Sequence, residues 1–311
     1  MRLKQLGIYI VLLSLFASLV TGCQSQFQPG TYTDDLGRQV DISEIPERIV
    51  SFGPSITEIL FALGLEENVV GVEDYSDYPE AAKLKPKVGD AFNPSLEKIV
   101  ELDPDLVFTV KQEQLNSELD ALGIQFVVLD PEDIDGILRD IELVGEITGT
   151  KKRAAELIGD MQNSISQALA QVKDAPKVRV FFIVDATDLN LPWTAGTGSF
   201  IDALITMAGG ENIAAKGQGA WVQFSLEEII SSDPEIIIIQ TLPGSIPTAS
   251  NQCDGVCQLI NAADKLKEHP VWGEMPAVQQ GKSYFINGDL VSRPGPRIVQ
   301  GLEELVRIIH H

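Results

Sequence analysis

The motif most informative about architecture occurs twice, as SLEKIVELDPDLV at residues 95–107 and as SLEEIISSDPEII at residues 225–237. Each copy begins with a serine that can cap a helix, continues as a short helical pattern, is interrupted by a proline and ends in an apolar run typical of a buried strand. A second matching pair, SITEIL at 55–60 and SFIDAL at 199–204, precedes the two copies in the same order. Two matching pairs in one order predict two lobes of similar topology.

The segments around these motifs alternate between strand and helix patterns. Apolar runs typical of buried strands lie at residues 49–52, 69–72, 106–109 and 126–129 in the first half and at 178–184, 236–240 and 283–286 in the second. Continuous apolar strands that alternate with helices are typical of parallel sheets flanked by helices. We therefore predict an α/β fold with two lobes, each built on a mainly parallel sheet.

The segment between the two halves predicts a long helix. Residues 134–172 contain no proline and show two helical patterns separated at Gly149. The second pattern, at 151–172, would be about 33 Å long at 1.5 Å per residue. A helix joins two lobes more stiffly than a linker rich in Pro, Gly and Ser would. The predicted organisation is an N-terminal lobe at 33–148, an interlobe helix at 149–174 and a C-terminal lobe at 175–311.

Composition and charge exclude some functions. The chain has 311 residues, of which 44% are hydrophobic, as expected for a globular protein. It carries 45 acidic and 23 basic residues, a formal net charge of −22. A field of that sign repels phosphate backbones, so we do not expect nucleic-acid binding. A basic protein partner remains compatible with it.

The first segment predicts export from the cytoplasm. Arg2 and Lys4 precede an apolar stretch at 6–20, which is shorter than the about 20 residues of a membrane span. The stretch ends in Gly22 and Cys23, which resembles the lipobox of bacterial lipoproteins. That resemblance implies a signal peptide at 1–22, a lipid on Cys23 and a short tether at 23–32. The alternative is a soluble secreted protein in which Cys23 is incidental.

Two further cysteines, Cys253 and Cys257, lie close together in the chain. An exported pair at this spacing favours a local disulfide. A metal site is the less favoured alternative, because no second cysteine pair and no nearby histidine completes it.

Several motifs resemble those of one family, the helical-backbone class of ABC-transporter substrate-binding proteins. They are IVSFGPSITE at 49–58, YSDYP at 75–79, the duplicated Ser-Leu-Glu motif and SRPGPR at 292–297. The likeness covers about residues 33–309 and is greatest to the vitamin B12 group. It implies a monomer with a ligand cleft between two lobes. It also implies an ABC permease dimer, with its ATPase, as the partner.

The resemblance also assigns permease contacts. In this family a carboxylate from each lobe binds arginines of the permease, and the matching residues are Glu97 and Glu227. Arginine suits this role because its planar fork makes two parallel hydrogen bonds to a carboxylate. The alternative is that each acid only complements the dipole of its helix, worth about 0.3–1 kcal/mol. The duplication favours docking.

Candidate ligand-binding residues are aromatic side chains near strand ends, together with two polar residues. A large planar ligand with amide or acid edges needs aromatic faces and a few polar groups. Tyr78 has the alternative of packing against a turn, and Arg293 that of pairing with Asp289 as a structural clamp. The vitamin B12 group has a tryptophan where this chain has a phenylalanine, which leaves haem and ferric siderophores as alternative ligands to a corrinoid. The candidates are Tyr75, Tyr78, Phe92, Trp193, Trp221, Asp289 and Arg293.

Metal and catalytic chemistry find little support. The chain has three histidines, and two of them, His310 and His311, lie at its end, where we expect them to be disordered and not to form a site. Sites for free zinc or manganese use several histidines, so we expect neither a bound metal nor a resident cofactor. No GxSxG, HExxH or phosphate-loop motif is present. A carboxylate-based hydrolase and a lipid-anchored sensor or structural protein remain the alternatives from other classes.

Overall fold

The structure, a computed structural model, describes residues 27–241 and 266–310. They form two α/β lobes with a long helix between them, as the sequence predicts. The predicted signal peptide, Cys23, Cys253 and Cys257 lie outside the described residues. Within the described ranges, no helix has the length and apolar character needed to cross a membrane.

The N-terminal lobe contains a parallel sheet of four strands in the order β4-β3-β5-β6, preceded by the antiparallel pair β1–β2. The three residues of the predicted tether from 30 to 32 belong to β1, where backbone pairing with β2 holds them. The strands are β1 (Gly30–Thr33), β2 (Gln39–Ile42), β3 (Ile49–Phe52), β4 (Val69–Val72), β5 (Leu106–Thr109) and β6 (Phe126–Val128). The helices are α1 (Pro54–Ala62), α2 (Leu96–Glu101), α3 (Glu113–Ala121) and α4 (Ile134–Ile147), with a 3-10 helix at Glu80–Leu84.

The C-terminal lobe repeats this plan with a parallel sheet in the order β12-β11-β7-β9. A separate antiparallel ribbon is formed by β8 and β10. The strands are β7 (Val178–Ile183), β8 (Trp193–Ala195), β9 (Gly210–Asn212), β10 (Trp221–Gln223), β11 (Ile236–Thr241) and β12 (Ser283–Asn287). The helices are α6 (Phe200–Met207), α7 (Leu226–Ser232), α8 (Pro276–Gln279), α9 (Gly288–Ser292) and α10 (Ile298–His310), with 3-10 helices at Ile213–Lys216 and Trp272–Glu274.

The connecting helix is α5 (Lys151–Val172), with the bounds that the sequence predicts. It packs against α4 of the first lobe and α10 of the second. Its buried residues are Ala154, Met161, Ala168 and Val172, which are spaced by seven, seven and four positions and form one stripe. They belong to a single hydrophobic core that includes residues of both lobes.

The duplication extends to features that the sequence comparison missed. Asp103 and Asp233, 130 positions apart, both have left-handed backbone conformations with φ near 45°. An arginine side chain binds each turn, because Arg48 Nε donates to Asp103 O and Arg179 Nε donates to Asp233 O. Each lobe therefore fixes the turn before its central strand in the same way.

His310 corrects one expectation. It is the last residue of α10, and a ring nitrogen lies 2.8 Å from Ala208 O at the end of α6. The expectation failed because α10 packs along its whole length and carries the ring to this carbonyl group.

Candidate functional site

The carboxyl ends of the two sheets meet at a cluster of charged side chains. Arg293 of the C-terminal lobe donates to Asp77 Oδ1 of the N-terminal lobe at 2.7 Å. Arg293 Nη2 also lies 3.0 Å from Asp289 Oδ1. Arg297 binds Glu58 through two bonds, of 2.9 Å and 2.6 Å. We call these five residues the interlobe ion cluster; it joins the loop after β4 to the segment after β12.

Burial makes this cluster electrostatically strong. The side chains of Glu58, Asp289 and Arg293 are each at least nine-tenths buried. Burial raises the pKa of the Glu58 carboxyl, and the hydrogen bonds and charge of Arg297 oppose that rise. Three carboxylates share two guanidinium groups, so the cluster has one negative charge in excess of its positive charges.

The loop that carries Tyr75, Asp77 and Tyr78 is anchored from below. A chain of buried hydroxyl groups runs from Ser51 through Thr57 to Ser76, with 2.8 Å at each step. Lys87 Nζ also donates to Ser76 O at 2.9 Å. These bonds preset the loop conformation, which lowers the entropic cost of binding a ligand there.

Glu73 lies at the base of the same loop. Its carboxylate is buried and accepts a hydrogen bond from Tyr75 N at 2.9 Å. Burial raises its pKa to about 7. Sequence inspection missed Glu73, Glu58 and Asp77 as site residues, because the burial and pairing of an acid depend on tertiary contacts that no local pattern shows.

The aromatic residues of the N-terminal lobe lie near one another in the loops. Tyr75 is exposed, and the side chain of Phe92 is 89% exposed. Their loops are linked because Asp74 N donates to Gly89 O at 3.0 Å and Asp74 Oδ1 accepts from Gly89 N at 3.1 Å. Both rings therefore project from a braced surface and have no core to fill.

Tyr78 belongs to the interlobe contact. The guanidinium group of Arg297 lies 4.0 Å from the centroid of its ring, in a cation–π arrangement. The ring remains partly exposed, so one face packs while an edge stays accessible. Arg293 pairs with Asp289, as the alternative of a structural clamp predicts. Arg293 also pairs with Asp77 of the other lobe. Ligand contact by Tyr78, Asp289 and Arg293 stays a prediction.

The two tryptophans lie on the β8–β10 ribbon. Trp193 is paired with Gln223, two residues from Trp221, so both indole rings project from the same face. Both are exposed, whereas Thr194 between them in the ladder is fully buried. The ribbon continues from the end of β7 through the bridge between Asp185 and Trp193. It thus presents two aromatic faces at the carboxyl edge of the second sheet.

The two carboxylates assigned to permease docking have matching positions. α2 begins beside the end of β4, where Ser95 N donates to Val88 O, and α7 begins beside the ribbon, where Phe224 N donates to Pro192 O. Glu97 and Glu227 are exposed in the first turns of these helices. Neither forms an ion pair with any residue that the structure describes. Glu228 instead completes a capping box with Ser225.

The described residues contain no group of three or more His, Cys, Asp or Glu side chains that could hold a metal ion. His269 has a local role, because its Nδ1 accepts a hydrogen bond from Val271 N at 3.2 Å. Ligand binding between the aromatic faces and the buried charges stays a prediction.

A family model described as "Periplasmic binding protein" matches residues 49–290. Because the match covers most of the chain, the chain belongs to this family. Proteins of the family bind small ligands and work with the permease and ATPase of ABC transporters. The chain is accordingly an extracytoplasmic substrate-binding protein of an ABC transporter.

Two relatives and one solved structure show which individual proteins this chain is similar to. An uncharacterized ABC transporter substrate-binding lipoprotein, YvrC of Bacillus subtilis, is 31% identical over 99% of this chain and 98% of its own length. A cobalamin-binding protein of Halobacterium salinarum is 27% identical over 91% of this chain and 74% of its own. The apo structure of the periplasmic heme-binding protein RhuT of Roseiflexus sp. RS-1 superposes with a TM-score of 0.73 at 27% identity, covering 85% of this chain and 98% of that one.

Proposed function

We propose that this protein captures a corrinoid, such as cobalamin or cobinamide, outside the cytoplasm and delivers it to an ABC permease. A lipid on Cys23 holds it at the membrane. The observation that carries the proposal is the set of exposed aromatic rings contributed by both lobes at the carboxyl edges of their sheets. The Halobacterium salinarum relative, named for cobalamin binding, supports the same ligand class.

Recognition in this proposal combines apolar faces with a polar floor. Tyr75 and Phe92 of one lobe and Trp193 and Trp221 of the other cover the faces of the macrocycle. Aromatic rings stacked on a planar ligand contribute about 0.5–1.5 kcal/mol each beyond the burial of their area. Amide groups at the corrin edge bind the polar atoms of the interlobe ion cluster, especially Asp289 and Arg293.

The mechanism is binding and release, without a covalent step. α5 and the interlobe ion cluster connect the lobes at two places, so the cleft is largely preformed and closes little around its ligand. Glu97 and Glu227 then bind arginines of the permease. Docking of both lobes positions the cleft over the transport pathway.

Titration of the purified protein with cyanocobalamin, cobinamide, haem and a ferric siderophore tests the ligand. We expect saturable binding of a corrinoid by calorimetry. Trp193→Ala and Trp221→Ala should each weaken it about tenfold, because each removes one stacking face. Leu122→Ala is the matched control, since this exposed side chain follows α3 at the opposite edge of the sheet. Absence of saturable corrinoid binding would reject the proposal.

Haem is the second candidate, favoured by the exposed Tyr75 in the loop after β4. A tyrosine oxygen is one of the protein ligands that haem iron accepts. If haem is the ligand, Tyr75→Phe should change the visible spectrum of the ferric complex, whereas Trp221→Ala should mainly change its affinity. If the ligand is a corrinoid, Tyr75→Phe should not change the spectrum of the bound ligand in this way.

A further inference from the structure

The two docking helices share more than their glutamates. Residues 95–100 and 225–230 have the same order of burial, with a fully buried isoleucine, Ile99 or Ile229, at the fifth position. At the sixth position stand Val100 and Ile230, whose side chains are 48% and 52% exposed. Each lobe therefore exposes a branched apolar side chain three residues after its docking carboxylate.

This spacing places the two groups side by side. Residues three apart on a helix are neighbours, about 5–6 Å between Cβ atoms. Val100 therefore lies next to Glu97 on α2, and Ile230 lies next to Glu227 on α7. A single exposed apolar residue needs no explanation. Here, however, an exposed β-branched residue stands at the same position of the motif in both lobes. β-branched residues are also poorer helix formers than most, and packing within the described residues gives little in return here.

The surface beside Ile230 is concave. A groove of about 230 Å³ lies against this side chain and has a mainly apolar lining that includes two acids. Its other lining residues are Pro234, Val271, Met275, Pro276, Asp233 and Glu274. Asp233 already binds Arg179, whereas Glu274 is exposed and forms no ion pair among the described residues. The groove suits an apolar side chain that arrives together with a basic one.

Resting on the proposed function, we propose that the permease binds each lobe through a pair of side chains, an arginine on the carboxylate and an apolar residue beside it. Val100 and Ile230 make the apolar contacts, and the groove beside Ile230 takes the larger apolar group. The permease surface is thus basic and apolar at two matching places. The exposed carboxylates and the net charge of −22 supply the charge complementarity for such a partner. The groove makes the C-terminal lobe the tighter of the two contacts.

Serine substitutions test this without altering charge. The variants are Val100→Ser, Ile230→Ser and the double variant, with Leu122→Ser, a similarly exposed position just after α3, as the control. Binding of each protein to the cognate permease–ATPase complex in nanodiscs is measured by interferometry. We expect about a tenfold loss for Ile230→Ser, a smaller loss for Val100→Ser and a larger one for the double variant. Leu122→Ser should bind within twofold of the unmodified protein, and calorimetric titration with cyanocobalamin should be unchanged throughout.

A charge-reversed protein, Glu97→Arg with Glu227→Arg, distinguishes the hypothesis of carboxylate docking from that of the added apolar contacts. If it loses permease binding while the serine variants keep theirs, the carboxylate contacts stand and the apolar contacts are disproved. If it and the serine variants all bind normally, the proposed docking face is wrong, and this inference fails with it. Thermal melting of each variant shows that the fold is intact, as expected for exposed positions.

Discussion

At the scale of single residues, the carboxyl group of Asp140 stands out as buried and poorly paired. It lies in α4, is 2% exposed, and its Oδ2 atom receives no hydrogen bond from the described residues. Burial, followed by the nearby Asp35 carboxylate, raises its pKa to about 8. Asp140 is therefore protonated at neutral pH, when its carboxyl group can donate a hydrogen bond to Asp35.

This raised pKa makes stability depend on pH. Between the unfolded pKa near 3.8 and the folded value near 8, the folded chain holds a proton that the unfolded chain has lost, so the free energy of unfolding falls as pH rises. Asp140→Asn removes this pH-dependent fall in the free energy of unfolding, because the amide has nearly the same shape as the carboxyl group but does not ionise. At pH 9 the variant should be more stable by an amount on the order of 3 kcal/mol, and below pH 4 the difference should vanish.

Urea unfolding at pH 4, 7 and 9 measures the effect. Asp120→Asn, an exposed position on α3, is the control and should shift stability equally little at each pH. A difference between Asp140→Asn and the unmodified protein that does not vary with pH would contradict the assignment.

Sequence reasoning located the exposed residues better than the buried charges. Tyr75, Phe92, Trp193 and Trp221 are predicted as aromatic side chains near strand ends, and all four are exposed. Asp140 was not selected, because an acid on the inner face of a helix resembles any solvent-facing acid until the helix is packed. Charge pairing across the lobes depends on tertiary distances that no local pattern contains.

At the scale of secondary structure elements, the junction between α1 and α5 depends on one glycine. Gly64 follows α1 with φ of 75°, and a Cβ atom added there would lie 1.5 Å from Arg153 Nη1. Arg153 reaches into this space from α5 and donates to Leu63 O at 2.9 Å. The missing side chain of Gly64 thus permits the arginine that ties the connecting helix to the first lobe.

Gly64→Ala should therefore cost more than backbone strain alone. The left-handed conformation costs about 1–2 kcal/mol for a residue with a side chain. Displacing Arg153 should add about 1 kcal/mol through the lost hydrogen bond. Gly123→Ala is a matched control, because Gly123 has φ of 69° and open space around it. Thermal or urea unfolding of both variants measures the difference.

The double variant with Arg153→Ala checks the cause. Once the arginine is gone, Gly64→Ala should cost no more than Gly123→Ala does. A Gly64→Ala cost that is the same with and without the arginine would show that Arg153 plays no part.

Elements with long patterns were predicted closely, and short ones were not. β3, β4, β5 and α5 have the predicted bounds, because continuous apolar runs and a 22-residue helical period leave little ambiguity. The ribbon of β8 and β10 was missed because each strand has three residues, too few to show an alternating pattern. Its place is set by pairing between distant segments.

At the scale of the whole molecule, Glu58 links the lobes as the buried partner of Arg297. Glu58→Gln leaves the arginine without its charged partner in a site that admits little water. The loss should be about 3 kcal/mol in the free energy of unfolding, because an uncompensated buried charge is costly. Glu67→Gln, an exposed position after α1, should change it by less than about 0.5 kcal/mol.

Urea unfolding of the Glu58→Gln and Glu67→Gln variants at pH 7 measures this difference in stability. A Glu58→Gln variant as stable as the unmodified protein would mean that the interlobe ion cluster does not hold the lobes together. The two-lobe plan itself followed from the duplicated motifs, whereas this contact between lobes did not, because its partners are over 200 positions apart in the chain.

The stripe of small and apolar residues along α5 has a thermodynamic consequence. Met161 and Ala168 belong to the same core as Leu60 of the first lobe and Leu305 of the second. If either lobe unfolded alone, α5 would lose the packing partners that this lobe supplies, and its buried residues would become exposed. The two lobes should therefore unfold as one cooperative unit, with equal calorimetric and van't Hoff enthalpies. Domains joined by a flexible linker would instead unfold independently.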